Sequence, residues 1–133
     1  MNTNLESFTI FSKSAKKLAK FYRESVGLKV TFEAVMGKSD EIFEFKMKNG
    51  TFYIFDNSKL KGNNKNPERF VFSLETNDIE SEVKRLRKNK VKVIKDINHI
   101  GGYGFVVVLA DVDGNYFQLV QTKGGKTPKA FKK

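Results

Sequence analysis

The sequence predicts an α+β protein of two tandem βαβββ modules, forming curved mixed sheets around a cleft with the helices on the outer faces. Three observations predict it. One order of apolar patterns, a strand, a helix and three strands, occurs twice; an Asn-, Lys- and Gly-rich stretch separates the two occurrences; and the halves register at a constant spacing.

The first segment, Ser7-Phe8-Thr9-Ile10-Phe11, alternates as a half-buried strand does. From Ser14 the period changes: Ala15, Leu18, Ala19, Tyr22 and Val26 recur in steps of three and four, marking one helix face, with Ser12 or Ser14 as cap and Gly27 as stop. Strand patterns then cover Leu28 to Ala34, Glu41 to Met47 and Thr51 to Asp56, the last two joined by the hairpin dipeptide Asn49-Gly50. Module 1 thus spans about residues 5–56, and NSKLKGNNKNPE, about 57–68, reads as an exposed linker.

Module 2, about 69–121, repeats the order. A strand runs from Phe70 to Glu75, and a helix starting at Asp78 places Ile79, Val83 and Leu86 on one face. Strands follow at Val91 to Ile97, Phe105 to Ala110 and Asn115 to Gln121, the last hairpin closed by DVDGN. The basic tail, residues 122–133, is expected to be mobile unless Phe131 docks. The whole of 1–133 is read as a single domain.

The bulk numbers narrow the function classes. With 133 residues, 39% of them hydrophobic and 13 of them Phe, the chain can fill a core. It has no Cys, so disulfides, thiolate metal sites and a Cys nucleophile are excluded, and a reducing cytoplasm is the expected compartment. No secretory leader pattern opens the sequence, and no stretch reaches the roughly 20 apolar residues that span a bilayer. The net charge of +10 raises nucleic acid as a partner, its strongest cluster being Lys84, Arg85, Arg87, Lys88, Lys90 and Lys92. Glu80 and Glu82 alternate with that cluster opposite the apolar stripe, so it reads as a solvated helix face.

The repeat assigns faces. Asn49 to Phe55 matches Asp113 to Leu119 at an offset of 64, and the same offset carries Phe8 and Ile10 to Phe72 and Leu74. Parity then places Phe8, Ile10, Tyr53, Phe55, Phe72, Leu74, Phe117 and Leu119 under the helices. Ser7, Thr9, Phe52, Ile54, Val71, Ser73, Tyr116 and Gln118 fall on the opposite face, a mixture suited to a pocket. One helix cannot cover both faces of a four-stranded sheet, so the two sheets are expected to enclose a shared cleft.

AKKLAKFYRESVGLKV resembles the first-helix signature of the glyoxalase, bleomycin-resistance and extradiol-dioxygenase superfamily, the vicinal oxygen chelate fold, with Val26-Gly27 where that family has Leu-Gly. FSLETNDIESEVKRLRKNKVKV and GGYGFVVVLADVDGNYFQLVQ resemble its Asp-initiated helix and its D-P-x-G-N turn, Val112 standing for the usual Pro. The resemblance covers about Ser7 to Gln121. In metal-dependent members four side chains from the first and last strands of the halves hold a divalent ion that acts as a Lewis acid. Carried onto this sequence, those places are Ser7, Ile54, Val71 and Gln118. Isoleucine and valine offer no donor, so neither metal nor another cofactor is expected.

The resemblance then implies the antibiotic-binding branch: a homodimer that sequesters a small organic molecule without chemistry. Phe11, Phe43, Phe45, Phe52, Tyr103, Phe105 and Tyr116 could stack on a planar ligand. The expected binding residues are Ser7, Thr9, Phe52, Ile54, Val71, Ser73, Tyr103, Phe105, Tyr116 and Gln118. A charge of +10 favours a neutral or anionic aromatic ligand over a cationic one. The alternatives are a glyoxalase- or dioxygenase-like enzyme with an atypical site, and a basic interaction module. His99, beside Tyr103 or Glu33, is the one imidazole for acid–base work, and it reads as an exposed loop residue. Gly101 to Gly104 reads as a turn, since no helix follows to receive a phosphate.

Overall fold

A computed structural model describes residues 1–122 and 124–133. The chain divides into two compact units, Met1–Gly62 and Asn63–Lys133. Each contains one four-stranded mixed sheet and one principal helix, as the repeat predicts.

In unit 1, β1 (Ser7–Ser12) is followed by α1 (Ala15–Lys20), β2 (Phe32–Met36), β3 (Asp40–Met47) and β4 (Gly50–Asp56). The sheet order is β1-β4-β3-β2, with β1 parallel to β4 and the other pairs antiparallel. The expected single helix is two pieces: α1 continues into a wider π-helical stretch, Phe21–Val26, that ends at Gly27 in the left-handed region with φ 98°. The strand expected from Leu28 begins its pairing only at Phe32. Just before it Thr31 makes an irregular link, its hydroxyl accepting the Lys46 N–H at 3.0 Å in place of a main-chain carbonyl and its own N–H donating to the Glu44 carbonyl at 2.7 Å.

Packing centres on Phe52. Its ring stacks on Phe8 at 4.7 Å and on Phe45 at 5.3 Å, and meets Tyr22 from the helix edge-on at 5.0 Å. Phe52, Ile54, Phe45 and Tyr22 have no exposed surface. Phe52 and Ile54 therefore belong to the core under the helix, which corrects the parity expected for β4. The register says the same: Phe8 lies beside Phe52 and Ile10 beside Ile54, whereas Thr9 lies beside Tyr53. Neighbours in a ladder share a face.

In unit 2, β5 (Phe72–Glu75) is followed by α2 (Ile79–Lys88), β6 (Lys92–Ile100), β7 (Gly104–Ala110) and β8 (Tyr116–Gln121), in the order β5-β8-β7-β6. Ile79, Val83 and Leu86 are buried as the helical stripe predicts, and Asp78 caps the start by accepting from the Ser81 N–H at 3.1 Å. Here the expected parity holds, since Phe72 pairs with Phe117 and Leu74 with Leu119 on the helix side, and Ser73 pairs with Gln118 on the other. His99 is not in a loop. It lies in β6 opposite Phe105, exposed, with its ring 4.9 Å from that phenyl.

The tail also has a place. Pro128 is fully buried, Phe131 meets Phe105 edge-on at 5.2 Å, and the Lys129 N–H donates to Glu80 at 2.8 Å. Gly125, at φ 72°, passes so close to the Asn77 carbonyl that any side chain would overlap it. The exception expected for the tail, docking through Phe131, is the one that unit 2 shows.

Candidate functional site: the helix-free faces of the two sheets

Each sheet buries one face beneath its helix and leaves the other without a helix of its own unit. In unit 1 that second face carries Thr9 and Phe11 from β1, Tyr53 and Phe55 from β4, Ile42 and Glu44 from β3, and Phe32 and Met36 from β2. The rings touch in sequence: Phe11 meets Phe55 edge-on at 5.9 Å, and Phe55 meets Tyr53 at 5.7 Å. Phe11 is 51% exposed and Phe32 58%, an unusual display of aromatic surface.

One polar device sits in this platform. The Tyr53 hydroxyl donates to Glu44 at 3.3 Å, and the other Glu44 oxygen accepts from the Thr31 hydroxyl at 3.0 Å. Desolvation of the phenol, and then the hydrogen bond and charge of Glu44, raise the Tyr53 pKa above its ordinary 10.0. Tyr53 stays neutral across physiological pH, its proton directed to Glu44.

In unit 2 the helix-free face carries Ser73, Tyr116 and Gln118. The Ser73 hydroxyl donates to the Gln118 side-chain oxygen at 3.0 Å, which leaves the amide NH2 to donate outward. Val71 is 41% exposed immediately before β5, and Tyr116 is half-buried opposite Ala110.

The expected binding residues divide accordingly. Ser7, Thr9, Ser73, Tyr116 and Gln118 occupy helix-free faces, with the Ser7 hydroxyl donating to the adjacent Glu6 at 2.6 Å, and Val71 lies just before β5. Phe52 and Ile54 do not, being core residues, and Phe43 and Phe45 are buried on the same helix side. Phe105 is also corrected: it pairs with Gln121 on the helix-bearing face of unit 2 and lies against Phe131. Tyr103 sits in the β6–β7 turn, 45% exposed. Tyr53, Phe55, Ile42 and Glu44 were missed. Both parities of β4 are apolar, so alternation could not choose between them.

The parity correction also revises the positions carried over from metal-dependent relatives. Phe52 and Phe117 are equivalent core residues, 65 apart, so the unit 1 counterpart of Gln118 is Tyr53 and not Ile54. The set becomes Ser7, Tyr53, Val71 and Gln118: two hydroxyls, an alkyl group and an amide. Neutral donors of this kind do not match a divalent ion, which takes imidazoles or carboxylates. Among the described residues no three His, Cys, Asp or Glu side chains come together as a metal cluster.

Among the described residues no helix is long and apolar enough to cross a membrane. No curated protein sequence matches the chain. Solved structures do. UcmS2 superposes with a TM-score of 0.73 at 17% identity, covering 92% of this chain and 100% of its own. TnmS3, an antibiotic binding protein from Streptomyces sp. CB03234, gives 0.71 at 18% identity, covering 92% and 98%. The genomically encoded fosfomycin resistance protein FosX from Listeria monocytogenes gives 0.70 at 15%, covering 92% and 96%. At such identities the likeness is one of fold. The family model for the Glyoxalase/Bleomycin resistance protein/Dioxygenase superfamily matches residues 4–119. With the repeated βαβββ order and a match over most of its length, the chain belongs to the glyoxalase/bleomycin resistance protein/dioxygenase superfamily.

Proposed function

We propose that this protein binds a planar aromatic small molecule, neutral or anionic, on the helix-free faces of its sheets, without a metal and without chemistry. The observation that carries the reading is the unit 1 platform of Phe11, Tyr53 and Phe55, solvent-facing rings arranged edge to face around the single polar Tyr53–Glu44 pair. Such a surface supplies stacking area with one orienting polar group, the Tyr53 oxygen, whose proton is given to Glu44 and which can accept from a ligand. On the unit 2 face the Ser73–Gln118 pair presents an outward amide donor of its own. Antibiotics fall within this ligand class, a reading supported by the shared fold with the antibiotic binding protein TnmS3.

The donor set at the four carried-over positions supports metal independence, and the absence of Cys supports work in the cytoplasm. A homodimer is part of the proposal. The outer strand β2 exposes Val35 by 60% and Met36 by 57% along an unpaired edge, a surface that favours pairing with another chain.

The test is a calorimetric screen of planar aromatic compounds, antibiotics included, against the wild type and Tyr53→Ala, with metal analysis of the purified protein. Saturable binding that Tyr53→Ala weakens at least about tenfold, in protein free of stoichiometric metal, is the expected result. Binding indifferent to Tyr53→Ala and Gln118→Ala in folded protein moves the site elsewhere. Stoichiometric divalent metal ends the metal-free reading.

A further inference from the structure

A cavity of about 430 Å³ lies on the other side of the unit 1 sheet, between the helical segment and strands β2 and β3. Lys16 and Arg23 form its helical wall, Glu33 and Glu41 its strand wall, and Val35 and Phe43 contribute apolar surface. The strand residues are brought together by register, Glu33 opposite Phe43 and Val35 opposite Glu41. Lys16 comes from α1 and Arg23 from the π-helical stretch that continues it, and both line the cavity.

The walls carry opposite charges that do not meet. Among the described residues no ion pair crosses the cavity: Arg23 reaches only its neighbour Glu24, at 3.9 Å, and Lys16, Glu33 and Glu41 are in none of the ion pairs. Long basic side chains close onto carboxylates when the gap is short, because the attraction grows as the distance falls. Here no such pair forms, and the volume between the walls is the size of a small organic molecule. A ligand with one charge would satisfy one wall and leave the other facing solvent. A ligand carrying both would satisfy both.

We propose that this cavity is a site for a zwitterion with an apolar body, a free amino acid or short peptide. Its ammonium group faces Glu33 and Glu41, its carboxylate faces Lys16 and Arg23, and its side chain lies against Phe43, which is 6% exposed. The site is separated by the sheet from the aromatic platform and does not depend on that reading.

Three probes isolate the two charges: L-phenylalanine, N-acetyl-L-phenylalanine, which lacks the cation, and L-phenylalaninamide, which lacks the anion. Each is titrated into full-length protein while backbone amide NMR shifts are followed. The expected result is saturable shifts centred on Lys16, Arg23, Glu33 and Val35, with either capped probe binding about three- to tenfold more weakly. Arg23→Gln should erase the preference for the free carboxylate, and Glu33→Gln the preference for the free ammonium; both positions are exposed, so the fold is retained. Equal affinity for all three probes, shifts centred elsewhere, no saturation up to about 20 mM, or preferences unmoved by both variants would each overturn the proposal.

Discussion

The two units solve the same problem, the unpaired N–H groups at a helix start, with the same parts until the last one. In unit 1 the Ser12 hydroxyl accepts from the Ser14 N–H, the Ser14 hydroxyl from the Lys17 N–H, and Asp56 from the Ala15 N–H at 2.7 Å. In unit 2 Thr76 accepts from Asp78, Asp78 from Ser81, and Gln121 from Ile79 at 2.9 Å. The strand-end acceptor differs in kind. Asp56 has only oxygens, and its second one takes the Glu41 N–H at 2.7 Å, tying the helix start to β3. Gln121 has an NH2 group as well, and it donates to the carbonyls of Gly124 and Lys126, tying the helix start to the tail. A carboxylate recruits a donor and an amide recruits acceptors; that one difference lets unit 2 hold a strap that unit 1 lacks.

The largest expected effect tests which β4 residues are core. Phe52→Ala should cost about 3–5 kcal/mol in urea unfolding, and Phe117→Ala in unit 2 about the same, because each empties a fully buried ring site. Tyr53→Ala should cost less than about half of that, its side chain being only half-buried. Equal losses at Phe52 and Tyr53 would contradict the parity described above.

Next in size are the strand-end acceptors. Gln121 is 3% exposed and makes three hydrogen bonds, so Gln121→Ala should lower stability by about 2–3 kcal/mol. Gln121→Glu separates its two jobs: the cap to Ile79 remains while the tail carbonyls now face a carboxylate. Hydrogen exchange should then quicken at Lys126 and Phe131, whose amides bond to Asn77 and Pro128, and stay slow in α2. Asp56→Asn, which turns a donor toward one of two N–H groups, should cost about 1–3 kcal/mol.

Smaller effects separate the outer strands. β2 pairs with β3 in unbroken register and carries Phe32, Val35 and Met36 exposed; β6 is interrupted by two register shifts and presents Lys92, Lys95 and Asp96. Bulges and charges guard an edge against pairing. Val35→Lys should shift the protein toward monomer in sedimentation, whereas Lys95→Ala should leave association unchanged. Smallest is the Tyr53 titration. A phenol whose pKa is higher folded than unfolded holds its proton more tightly when folded, so its contribution to stability is full below pH 10.0 and is lost as pH rises through the folded value. Ultraviolet titration should find Tyr53 above 10.0, and Glu44→Gln should bring it part of the way back, since desolvation remains.

Unit 2 was the more legible half. Its strands mix polar and apolar positions, so Ser73 and Gln118 could be placed opposite Phe72 and Phe117 from alternation alone, and the register agrees. Unit 1 was less so. FYIF in β4 is apolar at every position, and matching its turn to the DVDGN turn hid a one-residue difference in turn length. His99 was misplaced because a bulged strand breaks the period on which strand recognition rests.

The sequence by itself determined the family and the repeated order of elements, because both depend on local periodicity and on residue identity. Only tertiary structure decided which face of β4 is buried, since an all-apolar strand is oriented by what packs against it. Tertiary structure also decided that the basic tail docks: Gln121 holds the carbonyls of Gly124 and Lys126, and Phe131 lies against Phe105, partners whose availability no spacing rule reveals.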